Sequence, residues 1–260
     1  MEKLDYFEKK NLKDYQDLKW NIPERKTGNI SIVGGNSENF ANIIKSAEFL
    51  EKSFPLEKLN VVLPDSLKSK LPPLDNLVFT ASTKSGSFDK SDELNTFLNS
   101  SDFNILPGDF SKNSATAVAL AKALKDSNIP TVFARDTLDL LSQEMINLVE
   151  KEHLFITASM SQMQKFLRAI YYPKMLLLSM PLLQAVEVLH KLTLSYSLTI
   201  LTFHQEQILI ANSGKVIAIP ISETTYTPIS LWMGDLACKI AGMNLYNPNN
   251  ELAATAAALI

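Results

Sequence analysis

Short runs of apolar residues recur along the chain, and most of them are continuous rather than alternating with polar positions. A strand that is covered on both faces has this pattern, because neither of its faces meets solvent. The runs predict nine strands, at residues 30–33, 59–63, 77–80, 103–106, 131–134, 154–157, 175–178, 199–203 and 207–211. The last of these and the apolar run that ends at Pro220 predict a β-hairpin with its turn at Asn212, Ser213 and Gly214.

Segments with the residue spacing of amphipathic helices lie between several of these strands. They cover residues 39–53, 114–127, 138–151, 161–169, 181–194 and 229–243. Strands that alternate with helices are joined by crossover connections, which produce a parallel sheet with helices on both faces. The pattern therefore predicts the α/β class, as a three-layer α/β/α sandwich with a mostly parallel central sheet.

The domain organisation follows from the lack of any long linker, internal repeat or low-complexity segment in the sequence. The 260 residues are enough for one large α/β domain or for two small ones. Without a linker to divide them, one domain is the simpler interpretation. We therefore predict a single domain at residues 26–260, preceded by an N-terminal helical arm at residues 1–25.

Charge and cysteine content exclude some classes of function. The formal net charge is −3, whereas an electrostatic nucleic-acid binder needs a clustered excess of Lys and Arg to neutralise phosphates. No nucleic-acid partner is therefore expected. Cys238 is the only cysteine, which excludes an intrachain disulfide and any zinc site built from several cysteines. Because free cysteines are among the most often buried residues, Cys238 is expected to be a buried structural thiol.

Neither a secretory signal nor a membrane span is predicted. The first 20 residues are charged throughout and lack the apolar segment of a signal peptide. The most apolar stretch, residues 175–189, is shorter than the ~20 residues that a spanning helix needs. Pro181, Gln184 and Glu187 also interrupt this stretch. We expect a cytoplasmic protein without a membrane partner.

Residues that directly follow the predicted strands are candidates for a binding site, because ligands of open parallel sheets bind beyond the carboxyl ends of the strands. Gly34 and Gly35 follow the first predicted strand, and Gly108 follows the fourth. Glycine lets the backbone approach a ligand closely, but it also fits a plain tight turn. Asp136 and Asp139 flank the start of a helix, where a carboxylate either caps the helix or contacts a ligand.

A further candidate is the pair Gly234 and Asp235, at the start of the amphipathic segment that ends at Met243. The exposed amides and the dipole of such a helix start attract an anion, and a nearby carboxylate can act as a base. The structural alternative is that Asp235 only caps the helix, a position at which aspartate is strongly favoured.

Several common catalytic and binding motifs are absent from the sequence. His153, His190 and His204 are scattered and lack the i, i+4 histidine partner of a helical zinc motif, so no metal site is predicted. No G-x-S-x-G nucleophile elbow supports a hydrolase triad. No P-loop and no full G-x-G-x-x-G fingerprint is present, which removes ordinary P-loop and dinucleotide-binding proteins.

The order of several segments resembles the ribokinase-like superfamily, especially its carbohydrate-kinase-like branch of ADP- or ATP-dependent NAD(P)H-hydrate dehydratases. KTGNISIVGG resembles the opening strand and glycine turn of that branch, and NILPGDFSKNSATAVALAKAL resembles its strand, glycine turn and helix. IPTVFARDTLDLL resembles the strand that ends in an Asp-Ala-Leu-Asn-like element. LFITASMSQMQKFL lies where the family has Thr-Pro-His-Pro-Gly-Glu, and MGDLACKIAGM lies where it has Gly-Ser-Gly-Asp before a helix. The resemblance spans about residues 26–260.

The resemblance implies roles for individual residues. Asp235 corresponds to the catalytic aspartate of the family, and Trp232, Met233 and Gly234 correspond to its nucleotide- and anion-binding loop. The residues implied on the substrate side are Gly34, Gly35, Asn36, Gly108, Asp136 and Thr157.

The chain also departs from the family pattern at ligand-facing positions. Leu231 and Trp232 replace the two glycines that normally open the anion-binding loop. Only Thr157 survives of the Thr-Pro-His-Pro-Gly-Glu element, and Thr202 and Phe203 replace a Lys-Gly pair. The scaffold positions are thus kept while the phosphate-binding positions have changed.

By this resemblance the protein is expected to be a nucleotide-dependent NAD(P)H-hydrate dehydratase, a metabolite-repair lyase, with degraded phosphate-binding motifs. The implied cofactors are ATP or ADP with Mg²⁺, the implied substrate is an NAD(P)H hydrate, and the implied partners are small-molecule nucleotides. Because many relatives assemble, a homo-oligomer is expected. There are two alternatives. One is a non-catalytic ribokinase-like binding or assembly module, which the lost glycines near Trp232 favour. The other is a small-molecule kinase for a sugar or vitamin precursor, which would also use Asp235 as the base.

Overall fold

A ten-stranded sheet forms the centre of the protein in the computed structural model, which describes residues 5–89 and 91–260. In chain order the strands are β1 (Phe7–Lys9), β2 (Asn29–Val33), β3 (Lys58–Pro64), β4 (Leu77–Thr80), β5 (Phe103–Leu106), β6 (Thr131–Phe133), β7 (Leu154–Thr157), β8 (Leu198–His204), β9 (Gln207–Asn212) and β10 (Lys215–Pro220). They are arranged in the order β1-β10-β9-β8-β7-β6-β5-β2-β3-β4.

The sheet is mostly parallel, as the sequence pattern predicts. Strands β2 to β8 all run in one direction, and those that are adjacent to each other pair in parallel. β9 runs antiparallel to β8 and to β10, and β1 pairs in parallel with β10 at one edge. The predicted hairpin is confirmed, because Ser213 and Gly214 turn the chain from β9 to β10 with φ angles of 48° and 77°.

Helices cover both faces of the sheet. They are α1 (Ala41–Ser53), α2 (Ser91–Asn99), α3 (Ser114–Lys125), α4 (Thr137–Leu140), α5 (Met145–Leu148), α6 (Met160–Ala169), α7 (Leu182–Ser195), α8 (Gly234–Tyr246) and α9 (Glu251–Ala257). Helices α1, α8 and α9 share one core with Ile30 and Ile32 of β2, whereas α2 to α7 share the other core with Val33. Successive strand residues point to opposite faces, so β2 contributes to both cores. The predicted three-layer α/β/α sandwich is therefore confirmed.

The strand order reverses between β2 and β5. The chain passes from β2 to β3 and β4 on one side of β2, and then continues with β5 on its other side. In open α/β sheets, ligands bind in the crevice that such a switch point creates outside the carboxyl ends of the strands. The two glycine turns of interest, Gly34–Gly35 after β2 and Gly108 after β5, lie at this point.

The prediction of a strand at residues 175–178 is wrong. β7 pairs directly with β8, which leaves no position in the sheet for a strand between them. Leu176 is buried in a core, whereas Leu177 and Leu178 are 50% and 71% exposed. The apolar run is a loop in which Leu176 is buried in one core and Met175 packs against that core. Apolar content alone does not distinguish such a loop from a strand.

Other predicted elements differ in detail. The single helix predicted at residues 138–151 is two short helices, α4 and α5, separated by a turn at residues 141–144. In the predicted N-terminal arm, β1 forms an edge of the sheet and Leu12–Asn21 form a 3-10 helix, while residues 1–4 lie outside the described residues. Within the described ranges, no helix has the length and apolar character needed to cross a bilayer.

Candidate functional site

The glycine turns after β2 and β5 pack directly against each other. The amide of Gly35 donates to the carbonyl oxygen of Gly108 at 3.3 Å. A Cβ placed on Gly34 would lie 2.7 Å from the same oxygen, closer than real Cβ atoms come to other heavy atoms. Gly35 and Gly108 also have φ angles of 85° and 97°, which glycine adopts without strain. These glycines therefore serve the close contact between two neighbouring turns.

Asp136 determines the shape of the turn after β5. Its carboxylate accepts hydrogen bonds from the backbone amides of Asp109 at 2.8 Å and Phe110 at 3.1 Å. A Cβ on Gly108 would lie 2.1 Å from this carboxylate, so the glycine makes room for it. Burial, the largest influence, raises the pKa of the Asp136 carboxyl above its ordinary value, and the hydrogen bond from Asp109 lowers it by less. Each oxygen of the Asp136 carboxylate is therefore bound by one backbone amide.

Two further residues that were assigned to the substrate side also bind the backbone. The Asn36 side chain donates to the carbonyl oxygen of Asp109 at 2.7 Å and accepts from the amides of Glu38 and Asn39. Thr157, at the end of β7, is 2% exposed and donates to the carbonyl oxygen of Phe133 at 3.4 Å. Both residues hold neighbouring segments of backbone together at the carboxyl ends of the strands.

An ion pair joins the loops after β5 and β6. A guanidinium nitrogen of Arg135, Nη2, lies 2.8 Å from Asp109 Oδ1, and their side chains are 27% and 12% exposed. Both residues have left-handed backbones, with φ angles of 52° for Arg135 and 60° for Asp109. The other terminal nitrogen of Arg135, Nη1, is buried and has no hydrogen-bonding partner among residues 5–89 and 91–260.

Three adjoining cavities at this end of the sheet meet at Met233, and together they form what we call the crevice. The first cavity, of about 540 Å³, and the second, of about 430 Å³, share Asp109, Arg135 and Met233. The second cavity and the third, of about 420 Å³, share Asn42, Lys45 and Met233. The crevice thus extends from the carboxyl ends of β5 and β6 to the groove between α1 and α8.

The start of α8 forms one end of the crevice. Asp235, the second residue of α8, is exposed and lines the third cavity together with Lys45. Gly234 packs so closely on α1 that a Cβ on it would lie 2.6 Å from Ser46 Oγ. Met233 precedes the helix with its side chain 47% exposed. The carboxylate of Asp235 is therefore open to solvent and close to the positive end of the helix dipole.

The loop before α8 gives the first cavity an apolar wall. Trp232 lines this cavity with Ile229 and Met233, whereas Leu231 is completely buried in the core. Asp136 lies on the polar side of the same cavity, beside Arg135. A ligand in the first cavity would contact an indole ring and a methionine on one side and charged groups on the other.

The structure brings only some of the predicted site residues to the crevice. Asp136, Trp232, Met233 and Asp235 line it, whereas Gly34, Gly35, Asn36, Gly108, Thr157 and Gly234 are buried in the turns and helix start behind it. The sequence interpretation missed Asp109, Arg135 and Lys45. Arg135 and Asp109 could have been found by the rule that selected their neighbours, because each follows a predicted strand within three residues.

No metal site is built from protein side chains in the part of the chain that the structure describes, since no three His, Cys, Asp or Glu residues are grouped suitably. A separate cavity of about 440 Å³ lies at the opposite end of the strands, where the amino ends of β5, β6 and β7 meet His153 and Glu251. The Glu251 carboxylate there pairs with His153 and accepts from Thr199 and Asn212. These contacts attach the start of α9 to the sheet.

Comparison with solved structures identifies the fold. A ribokinase-like superfamily protein from Enterococcus faecalis V583 aligns with a TM-score of 0.67 and 15% identity, over 99% of this chain and 87% of that chain. A hypothetical protein from Streptococcus mutans aligns with a TM-score of 0.63 and 15% identity, over 94% and 86%. YxkO from Bacillus subtilis, described as a UPF0031 family member and a proposed kinase, aligns with a TM-score of 0.59 and 13% identity, over 93% and 83%. The sequence matches no family model and no curated protein. The chain therefore has a ribokinase-like fold.

Proposed function

We propose that the protein is a nucleotide-dependent dehydratase of NAD(P)H hydrates that works in the crevice, with Asp235 as its base. The observation that carries the proposal is the position of Asp235, whose exposed carboxylate lies at the start of α8 in a crevice at the switch point of the sheet. This is where open α/β sheets bind ligands, and the start of a helix favours phosphate groups. The solved structures that share this fold include a proposed kinase, which is compatible with a reaction that uses a nucleotide.

The crevice offers positive groups for a nucleotide. Lys45 lines its second and third cavities, and Arg135 lines its first and second. Arg135 has donors to spare for an oxyanion, because only its Nη2 is paired with Asp109 and its buried Nη1 has no partner among the described residues. Mg²⁺ would be held mainly by the nucleotide phosphates, as is usual for this ion.

Asp235 would accept the proton of the substrate hydroxyl that is phosphorylated and then eliminated. A carboxylate suits this role when it lies within hydrogen-bonding reach of that hydroxyl. The bound nucleotide would transfer its terminal phosphoryl group to the hydroxyl oxygen and be released with one phosphate fewer. The phosphorylated oxygen would then leave as inorganic phosphate, and loss of a proton from the adjacent carbon would form the double bond. Trp232, with a flat apolar surface in the first cavity, would pack against a planar ring of the substrate or the nucleotide.

Two other functions use the same crevice. A non-catalytic binding module is favoured by the buried Leu231 and by Trp232, which stand where the family has the glycines of its phosphate loop. A small-molecule kinase would use Asp235 as its base, and the description of the Bacillus subtilis structure as a proposed kinase favours this candidate.

The test is an absorbance assay for NADH. Purified protein is mixed with hydrated NADH and either ATP or ADP with Mg²⁺, and the return of NADH absorbance is followed. We expect activity in the wild type and in Glu150→Gln, and loss of activity in Asp235→Asn. Glu150 is a matched control because its carboxylate is exposed and follows α5, which lies on the opposite face of the sheet from α8. No return of absorbance with any nucleotide would remove the dehydratase.

A thermal-shift experiment then separates the remaining candidates. A ligand at 100 times its dissociation constant should raise the free energy of unfolding by ~2.7 kcal/mol. Stabilisation by ATP, ADP, NADH or NADPH without dehydration would support a binding module. Consumption of ATP with a sugar or a vitamin precursor, abolished in Asp235→Asn, would support a kinase.

A further inference from the structure

We propose that Arg135 recognises a diphosphate group of the ligand and that it releases Asp109 when this group binds. The inference deepens the proposed function and rests on it, since it assumes that the ligand of the crevice carries phosphate. It assigns to the Arg135–Asp109 pair the role of a latch that a phosphate ligand opens.

The first step is the strain at the pair. Arg135 and Asp109 both have positive φ angles, which residues other than glycine rarely adopt. Neighbouring groups hold both backbones in place, because Gln162 Nε2 donates to the carbonyl oxygen of Arg135 at 2.5 Å and Asp136 accepts from the amide of Asp109 at 2.8 Å. Such conformations persist where the surrounding structure enforces them, and they cluster at ligand-binding sites.

The second step is the incomplete bonding of the guanidinium. Only Nη2 of Arg135 is paired with Asp109, and Nη1 is buried without an acceptor in the described part of the chain. A guanidinium has five N–H donors in a planar fork, which matches two oxygens of one phosphate. A phosphate that displaces Asp109 and draws the guanidinium into the crevice would accept from both terminal nitrogens, which Asp109 in its present position does not.

The third step is the surroundings of Arg135. It lines two cavities of the crevice, so it can reach a ligand in either one. The carboxylate of Asp136 is engaged by two backbone amides, which leaves Asp109 as the competitor for the guanidinium. Lys45, across the second cavity, adds a second positive charge for a diphosphate.

The proposal makes the two partners of the ion pair behave oppositely. If phosphate and Asp109 compete for Arg135, removing the Asp109 carboxylate frees the guanidinium, so that binding is maintained or strengthened. Removing the guanidinium itself weakens binding. An ion pair that only stabilises the loops predicts instead that both substitutions weaken binding alike, because each would loosen the same two turns.

The experiment is isothermal titration calorimetry with inorganic pyrophosphate, ADP and NADH. Arg135→Gln should bind pyrophosphate at least about tenfold more weakly than the wild type, and Arg135→Lys should fall between them because an ammonium group lacks the planar fork. Asp109→Asn should bind as tightly as the wild type or more tightly, and Glu150→Gln should be unchanged. ADP and NADH show whether the diphosphate that Arg135 binds belongs to the nucleotide or to the substrate. The affinity for the ligand that supplies this diphosphate should fall in Arg135→Gln as the affinity for pyrophosphate does, and the affinity for the other ligand should not.

Two results would overturn the inference. One is the absence of binding by the wild type to all three probes, and the other is an equal loss of affinity in Arg135→Gln and Asp109→Asn. If either variant fails to fold, the wild type still provides the test, because the side-chain NMR signal of Arg135, assigned with Arg135→Lys, should move on addition of pyrophosphate. An Arg135 signal that stays in place at saturating pyrophosphate also refutes the latch.

The outcomes for the latch and for the dehydratase are separable. Pyrophosphate binding needs no hydrated NADH, so Arg135-dependent binding without dehydration removes only the proposed activity. Conversely, dehydration with unchanged KM values for nucleotide and hydrate in Arg135→Gln removes only the role of Arg135.

Discussion

The carboxylate of Asp136, which follows β6, accepts a hydrogen bond of 2.8 Å from the backbone amide of Asp109, which follows β5. This bond joins the loops of two neighbouring strands at the floor of the crevice. Since the amide of Phe110 binds the same carboxylate, Asp136 holds a complete turn in place. The ion pair between Asp109 and Arg135 depends on this turn, because it positions the backbone of Asp109.

Asp136→Ala is expected to destabilise the protein more than Asp136→Asn. The alanine leaves two backbone donors without their acceptor, at a cost of ~1–3 kcal/mol for each group that stays buried. The asparagine keeps one carbonyl oxygen as an acceptor. Urea unfolding followed by circular dichroism measures the difference. Asp102→Ala is the control, because it removes the acceptor of a single, exposed backbone amide, that of Asn29, and should cost less. Equal stability of both Asp136 variants and the wild type would contradict a role in holding the turn.

The contacts of Asp136 also show which part of the site the sequence could reveal. Its position after a strand was predictable, because the apolar run 131–134 marks the end of that strand. Its hydrogen-bonding partner is 27 residues earlier in the chain and is a backbone amide, which leaves no trace in the residue type. The sequence therefore identified Asp136 as a candidate but could not distinguish a ligand contact from a structural one.

The fold shows the same division between local and distant information. Runs of buried apolar residues located the parallel strands, because both faces of those strands are covered. The predicted strands at 199–203 and 207–211 located the connection between β8 and β9, but not its type. Gln205 and Glu206 adopt φ angles of 48° and 61° there, although neither residue type favours a left-handed turn. The three-residue strand β1 is paired only with β10, more than 200 residues later, and carries no pattern of its own.

Gly234→Ala is expected to destabilise the protein through the contact between α8 and α1. The new Cβ would lie 2.6 Å from Ser46 Oγ, which is buried and has no hydrogen-bonding partner within the described ranges. Overpacking of this kind costs ~1–3 kcal/mol. Since Ser46→Ala removes the colliding oxygen, the double variant should recover part of the loss. Unfolding free energies of the two single variants and the double variant measure the coupling, and strictly additive effects would show that the two residues do not collide.

Cys238 is expected to react with thiol reagents only when the protein unfolds. The thiol is completely buried, and burial raises its pKa to about 12, so very little thiolate exists near neutral pH. The thiolate is the reactive form, and access is blocked as well. Labelling with a chromogenic disulfide should be complete in denaturant and slow in buffer, at a rate that follows unfolding. Rapid labelling of the native protein, with far-ultraviolet circular dichroism unchanged, would show that α8 opens locally.

Lys151 should make the stability of the protein rise with pH in the alkaline range. Burial lowers the pKa of Lys151 from 10.5 to about 8 in the folded protein. Between these two values the unfolded chain binds a proton at this residue that the folded chain has lost, so the free energy of unfolding increases as pH rises. Below about pH 8 Lys151 is protonated in both the folded and the unfolded chain. Partial burial of the ammonium charge then lowers the free energy of unfolding by its full amount.

The pH dependence can be isolated with Lys151→Met. The free energy of unfolding of the wild type, minus that of Lys151→Met, should be lowest below about pH 8 and should increase toward pH 10.5, because the variant has no charge to lose. The hydrogen bond that Lys151 donates to the carbonyl oxygen of Ser127 shifts this difference at every pH, so its slope is the diagnostic quantity. Lys125→Met, which removes an exposed lysine, should give a nearly flat difference. A flat difference for Lys151→Met as well would mean that the ammonium group remains hydrated in the folded protein.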